Sequence, residues 1–265
     1  MTTISPGALA LLTSFEGCPA HPEWPGGSSG ITIGIGCDIG QDPDSLTTWK
    51  QYLPADDYGR LASVRGRVGL TARAVLEDVR DIVIPAEAAQ AVLAGYILPS
   101  TAVQVMRVFP GSENMPADSF GALVSLVYNR GPSLTDHPGG LSRDGMRAIH
   151  GYSPDRSSWD MIPLEITDMA RLWPGAPTDS NLPGRRYYEA HLFEAGLRGA
   201  GIVPAETLVL ADAGDAVAAL QDALRIGADG NFGPVTLRAI IAWQRSQGAP
   251  THGIADPITL RSLGL

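Results

Sequence analysis

The sequence predicts a mainly α-helical protein in which a large N-terminal domain carries one small β-hairpin and a small C-terminal domain is built from three helices. Three observations predict this. Apolar residues recur at helical spacing through most of the chain. One segment, Gly30-Ile-Thr-Ile-Gly-Ile-Gly-Cys-Asp-Ile-Gly40, alternates with period two instead. After Asp212 a short unit occurs twice.

A chain of 265 residues with 44 % hydrophobic content has room for one or two packed domains. Composition breaks at Gly199-Ala-Gly-Ile-Val-Pro204 and runs Gly/Pro-containing to Asp212, so the boundaries are 1–200, a linker at 201–211, and 212–265. In the last segment five Asp oppose four Arg, which gives -1 and leaves -8 of the net -9 to the residues before it. The acidity and the absence of a basic run disfavour a nucleic acid or an anionic membrane as partner; a neutral sugar or a peptide fits better. No run of about eighteen apolar residues and no basic leader before an apolar run is seen, so a soluble protein, made in the cytoplasm and not inserted in a membrane, is expected. Something else would then have to bring it to any target outside. Five scattered histidines and two cysteines outside a Cys-x-x-Cys pair predict neither metal nor cofactor. A monomer is expected.

In chain order, Ser5-Pro6 reads as an N-cap and first helical residue, with Leu11, Leu12 and Phe15 on one face and an end near Gly17. The period-two segment follows. Residues 86–108 and 160–173 read as helices. Ser119 would cap a helix presenting Phe120, Leu123, Val124 and Val127 and stopping near Gly131-Pro132. Another begins around Pro183 and carries Tyr188, Leu192 and Phe193 before Gly196. In the C-terminal part Val217, Leu220, Gln221 and Leu224 mark one helix. The repeated unit, Gly230-x-x-x-Pro234-x-Thr236-Leu237-Arg238 and Gly253-x-x-x-Pro257-x-Thr259-Leu260-Arg261, marks two more, each a glycine turn before a helix start.

The chemistry is concentrated near the start. If the period-two segment is a strand, Ile31, Ile33, Ile35, Cys37 and Ile39 share one side and Thr32, Gly34, Gly36 and Asp38 the other. Two glycines between a hydroxyl and a carboxylate indicate a bulge, a turn or something approaching the backbone closely. Glu16 closes the first helix beside Phe15, where burial and the negative end of the helix would disfavour its ionised form. A protonated carboxyl and an ionised one are the pair that glycoside hydrolysis uses, and Glu16 and Asp38 are candidates for it. Taken alone, a solvated Glu and a turn Asp would read the same.

Phe15-Glu16-Gly17, then Ser29-Gly30-Ile31-Thr32-Ile33-Gly34, then Cys37-Asp38-Ile39-Gly40 resemble the Glu, Thr and Asp signature of the pesticin-like branch of phage-type lysozymes. The resemblance implies a lysozyme-like α+β domain and muramidase activity, cleavage of the β-1,4 bond between N-acetylmuramic acid and N-acetylglucosamine, with Glu16, Thr32 and Asp38 catalytic. The commoner phage pattern has its Asp between the Glu and the Thr. Here only Glu23 could stand in for it. Because the implied fold brings their segments together, a Cys18–Cys37 disulfide is one possibility, and Cys37 as a small buried hydrophobe the other. Leu126-Val-Tyr-Asn-Arg-Gly131 resembles a helix end lining the family's sugar cleft, which implies substrate contacts from Asn129 and Arg130. Gly184-Arg-Arg-x-x-Glu189 resembles a helix start of the same lobe, although the two arginines read alone as a solvated face.

Residues 212–265 resemble the peptidoglycan-binding module of wall hydrolases, through Leu220-Gln221-x-x-Leu224, Asp229-Gly230-x-Phe232-Gly233-x-x-Thr236 and Trp243-Gln244. Asp229, Gly230 and Phe232 would line its groove, with Phe232 and Trp243 equally readable as core. The sequence therefore implies an endolysin-like muramidase held on peptidoglycan by its C-terminus and acting in the periplasm, after release through a holin lesion or delivery by a secretion system. The alternatives are a lytic transglycosylase and an antibacterial effector muramidase.

Overall fold

The computed structural model describes residues 4–173, 181–204, 206–209, 212–249, 251 and 253–265. Part of the expected linker and His252 lie outside these. The fold is mainly α with one two-stranded antiparallel sheet. Its contacts form two compact units, residues 12–101 and residues 1–11 with 102–265.

The first unit starts in the second half of α1 (Pro6–Glu16), which ends at Gly17 with φ 67°. The period-two segment is not one strand. Gly34 and Gly36 adopt φ of 56° and 68°, the left-handed region that only glycine enters freely, and they fold the segment into a hairpin of β1 (Thr32–Ile33) and β2 (Cys37–Asp38). A side chain at Gly34 would also meet the Trp49 ring at 2.6 Å. Ile31, Ile33, Ile35, Cys37 and Ile39 are all buried, as the alternation predicted. Below the hairpin run the 3-10 turn Pro43–Trp49, α2 (Ala55–Val64), α3 (Leu70–Ala74) and the start of a long helix. That helix covers the expected 86–108 as α4 (Ala86–Val92), a π turn (Leu93–Ile97) and α5 (Leu98–Val108). Pro99 explains the interruption: it lacks an N–H and its ring would strike the carbonyl four residues back in a regular helix. Length and composition would let Ala86–Val108 cross a membrane, and Val92, Leu93, Leu98 and Val105 on it are buried in the protein.

The second unit is built on α6 (Ala117–Arg130) crossing α9 (Asn181–Gly199), with α7 (Asp144–Tyr152) and α8 (Ile162–Asp168) alongside. Ser5 caps the start of α1 by accepting a hydrogen bond from the Ala8 N–H at 3.1 Å, and Ala8 packs against Gly121 of α6. Ser119 is not the cap of α6, a place Pro116 holds. It is fully buried and donates to the Phe193 carbonyl at 2.7 Å, and Gly196 leaves room for it. α9 runs on through Gly196 to Gly199 rather than stopping there.

Residues 212–265 form the three expected helices, α10 (Asp215–Ala223), α11 (Pro234–Ser246) and α12 (Pro257–Ser262). Their core of Val217, Leu220, Phe232, Leu237, Ile240, Ile241 and Ala255 also takes in Tyr187 of α9. The joining surface lies on α9, outside the expected linker. Tyr187, His191, Glu194 and Arg198 recur at helical spacing along it. His191 Nε2 lies 3.2 Å from the Gly253 carbonyl oxygen, and Arg198 pairs with Asp212 at 2.6 Å and donates to the Thr207 carbonyl.

Candidate functional site

Hairpin register decides how the candidate residues of the first unit meet. Thr32 and Asp38 are directly opposed in the β1–β2 pair. On its other side Thr32 exchanges both backbone hydrogen bonds with Glu23, at 3.0 and 2.8 Å. Directly opposed residues of antiparallel strands project to the same face, so Glu23, Thr32 and Asp38 form one row with the threonine in the middle. The face sharing expected for Thr32 and Asp38 is thus present, through cross-strand pairing rather than alternation along one strand. Both carboxylates considered from the sequence flank Thr32.

The two differ in surroundings. Glu23 is exposed. The Asp38 carboxylate is half-buried and gathers three backbone N–H groups: Oδ1 accepts from Gly30, Gly40 and Gln41 at 3.1, 2.9 and 3.0 Å, and Oδ2 from Gly30 at 2.9 Å. Gly30 and Gly40 touch backbone to backbone around it, which leaves no space for a Cβ at either. The sequence motif therefore encodes a clasp: the aspartate ties the two ends of the hairpin together and is held rigidly beside Thr32. Thr32 is 7 % exposed. Glu16, half-buried at the end of α1, belongs to the same compact unit. Cys18 and Cys37 are both free thiols, so the disulfide alternative is corrected. Burial pushes the Cys37 thiol up, and its sulfur is occupied by the Ser45 hydroxyl and the Trp49 ring N–H, each at 3.3 Å.

At the end of α6, Asn129 accepts a hydrogen bond from Arg186 Nη2 at 2.9 Å. Arg130 is 9 % exposed, donates to the Ser142 carbonyl at 2.7 Å and lies over the Trp173 ring at 5.9 Å. Arg185 and Arg186 are not a solvated face. Both are buried and share Glu189, at 3.0 and 3.1 Å. Their spacing to Glu189 is the sequence signal for that arrangement, since three and four residues along a helix bring side chains together.

In the C-terminal helices the repeated unit has a repeated partner. Gln221 accepts from the Gly230 N–H at 2.8 Å and donates to the Asn231 carbonyl at 3.0 Å. Gln244 accepts from the Gly253 N–H and donates to the Ile254 carbonyl, both at 2.9 Å. A buried glutamine from the preceding helix thus pins each glycine loop. The second loop is turned to α9 through His191, while the first opens on a cavity of about 520 Å³ lined by Gln221, Asp229, Asn231, Pro234 and Thr236 among others. Asp229 is exposed there, its carboxyl held below the usual range by the Gln221 amide and then by the Asn231 N–H. Gly230 sits behind it with φ 69°. Phe232 is corrected: at 1 % exposure it is core, supporting the loop from beneath, because the apolar ring fills the space among all three helices. Trp243 is only partly buried.

Residues 213–263 match the model of a family described as a putative peptidoglycan binding domain. No curated protein matches the chain. Among solved structures, a mutant of P22 lysozyme aligns at 20 % identity with a TM-score of 0.41, over 73 % of this chain and 99 % of that one.

Proposed function

We propose that the protein is a peptidoglycan hydrolase, specifically a muramidase that cuts the β-1,4 bond between N-acetylmuramic acid and N-acetylglucosamine while its C-terminal helices hold the polymer. The observation that carries the reading is the match of residues 213–263 to a peptidoglycan-binding family in a chain whose first unit sets a carboxylate directly opposite Thr32. In this mechanism Glu16 gives its proton to the glycosidic oxygen as that bond breaks. Asp38 stabilises the positive charge that develops on the sugar ring, and Thr32 holds the water, whose oxygen bonds to the anomeric carbon as one of its protons passes to the Asp38 carboxylate. The clasp on Asp38 serves this by fixing the carboxylate before the charge appears. Asn129 and Arg130 are proposed as substrate contacts, as are Asp229 and Gly230 at the open loop.

The same clasp favours a second reading. A carboxylate already engaged by three N–H groups leaves Glu16 as the principal acting acid, and a lytic transglycosylase works with one glutamate. Product analysis on purified sacculi separates the two. Hydrolysis leaves reducing muramic acid ends; transglycosylation leaves 1,6-anhydro ends. Release of neither would remove the enzymatic reading and leave a wall-binding protein.

A further inference from the structure

Besides the cavity at the first glycine loop, the C-terminal helices carry another of about 520 Å³, lined by Leu224 and Arg225 at the end of α10, by Ala239, Ala242 and Trp243 of α11, and by two further residues. Its volume falls in the range of roughly 300–1,000 Å³ of small-ligand sites. Arg225 is the one charged residue in the lining. Two of the groups here lack partners. Arg225 is exposed, and its side chain makes no hydrogen bond or ion pair among the described residues, not even with Asp222 one turn back. The Trp243 ring packs partly against the module's core, yet its indole N–H donates to nothing among them, whereas those of Trp24, Trp49 and Trp159 each have an acceptor. A tryptophan half in a core offers both an apolar ring and a donor to whatever arrives.

Backbone geometry shows that Arg225 does not serve the turn it occupies. It follows α10 with φ 58°, the one non-glycine residue with a positive φ among those described. The Ile226 N–H returns to the Gln221 carbonyl at 3.0 Å, which closes the helix in the way that ordinarily puts glycine at this position. Glycine would hold the turn at lower cost, so the side chain is there for something else.

We infer that the cavity between α10 and α11 is a subsite for a carboxylate-bearing peptide, the stem peptide of the wall polymer, with Arg225 and Trp243 as its contacting residues. The inference rests on the proposed function for the identity of the polymer and adds which part of it is recognised here. A guanidinium meets a carboxylate through two parallel hydrogen bonds and keeps its charge at any working pH. The indole N–H is free to donate to a peptide carbonyl, and the alanines of α11 leave room for a backbone with small side chains. In an intact wall the lactyl carboxyl of muramic acid is taken up in the amide that joins the stem, so the free carboxylates lie on the peptide.

The test is calorimetric binding to the full chain at low salt, with L-alanyl-γ-D-glutamyl-L-lysine, the same tripeptide with its carboxyls amidated, and tri-N-acetylglucosamine as separate probes. The acid tripeptide should bind at least tenfold tighter than either neutral probe, and added salt should weaken it. Arg225→Gly should remove that preference while melting no lower than the wild type, since glycine suits the left-handed turn; a merely structural arginine would not separate the two readouts. Should Arg225→Gly fail to fold, Arg225→Asn, the other residue at ease in that region, replaces it in the same comparison. Trp243→Phe keeps the ring and loses the donor, and should weaken the acid tripeptide severalfold. Equal binding of the acid and amidated tripeptides by the wild type, preference for the sugar, or a folded Arg225 variant that keeps the preference each overturns the inference. Cleavage of sacculi is not part of the readout, so failure of the enzymatic reading and failure of this subsite are seen separately.

Discussion

Three carboxylates and one buried acid carry the account at the scale of residues. Glu16→Gln removes the transferable proton and keeps the shape, so turnover on sacculi should fall by about two to three orders of magnitude in a folded chain. Asp38→Asn is more discriminating because an asparagine Oδ1 can still accept from Gly30, Gly40 and Gln41, and only the Gly30 bond to Oδ2 is lost. If the aspartate works by its charge, Asp38→Asn should cost about a hundredfold in kcat, with a stability loss of only about 1–3 kcal/mol from the one lost bond. If Glu23→Gln is the variant that fails instead, the acting carboxylate is the other neighbour of Thr32. Glu194 supplies a separate prediction. Burial first, opposed by Arg198 and reinforced by Asp160 and Asp256, raises its carboxyl from 4.5 to about 7. The folded chain therefore binds this proton more tightly than the unfolded chain does. The associated stability is fully present below about 4.5 and is lost as pH rises through about 7. Glu194→Gln should flatten that decline and be the more stable form at pH 8, by on the order of 1–3 kcal/mol in denaturant titrations. Nothing in the sequence pointed to Glu194, because its burial depends on what α9 packs against. Glu16, Thr32 and Asp38 could be singled out because their spacing is local.

Elements show where sequence reading reaches and where it stops. Both ends of α1 were legible, since a serine cap and a left-handed glycine act within one turn. The hairpin was legible as β structure but its turn was not placed, because Gly34 and Gly36 fit a bulged strand and a reversal equally until Trp49 packs against the reversal. Ser119 looked like a cap from its neighbours and turned out to be a contact with Phe193, seventy-four residues away, which no window of local sequence contains. The duplicated loop was visible as Gly and Pro spacing, whereas the glutamine that pins each copy was not. Gln221→Ala or Gln244→Ala would strand a buried N–H and a carbonyl in its loop. Each should lower unfolding free energy by about 1–3 kcal/mol, read by chemical denaturation. A loss confined to one copy would mean that the two loops are not equivalent units.

At the scale of the whole molecule, the C-terminal module is packed on α9 by Tyr187, His191 and Arg198. Removing everything after Gly201 would expose that stripe and leave Arg198 without Asp212. The truncated chain should therefore melt several degrees lower in calorimetry as well as bind sacculi more weakly; an unchanged melting temperature would show that the packing contributes nothing. Packing of this kind would hold bound polymer at a fixed place relative to α9, rather than raise its local concentration alone. The linker sequence could not reveal it, because the joining residues lie within a helix of the preceding segment. Purified sacculi digested with the full chain should release fragments ending in reducing muramic acid, and the same digestion with folded Glu16→Gln should release almost none. Fragments ending in 1,6-anhydro sugars, no soluble fragments at all, or equal release by the Glu16→Gln chain would contradict it.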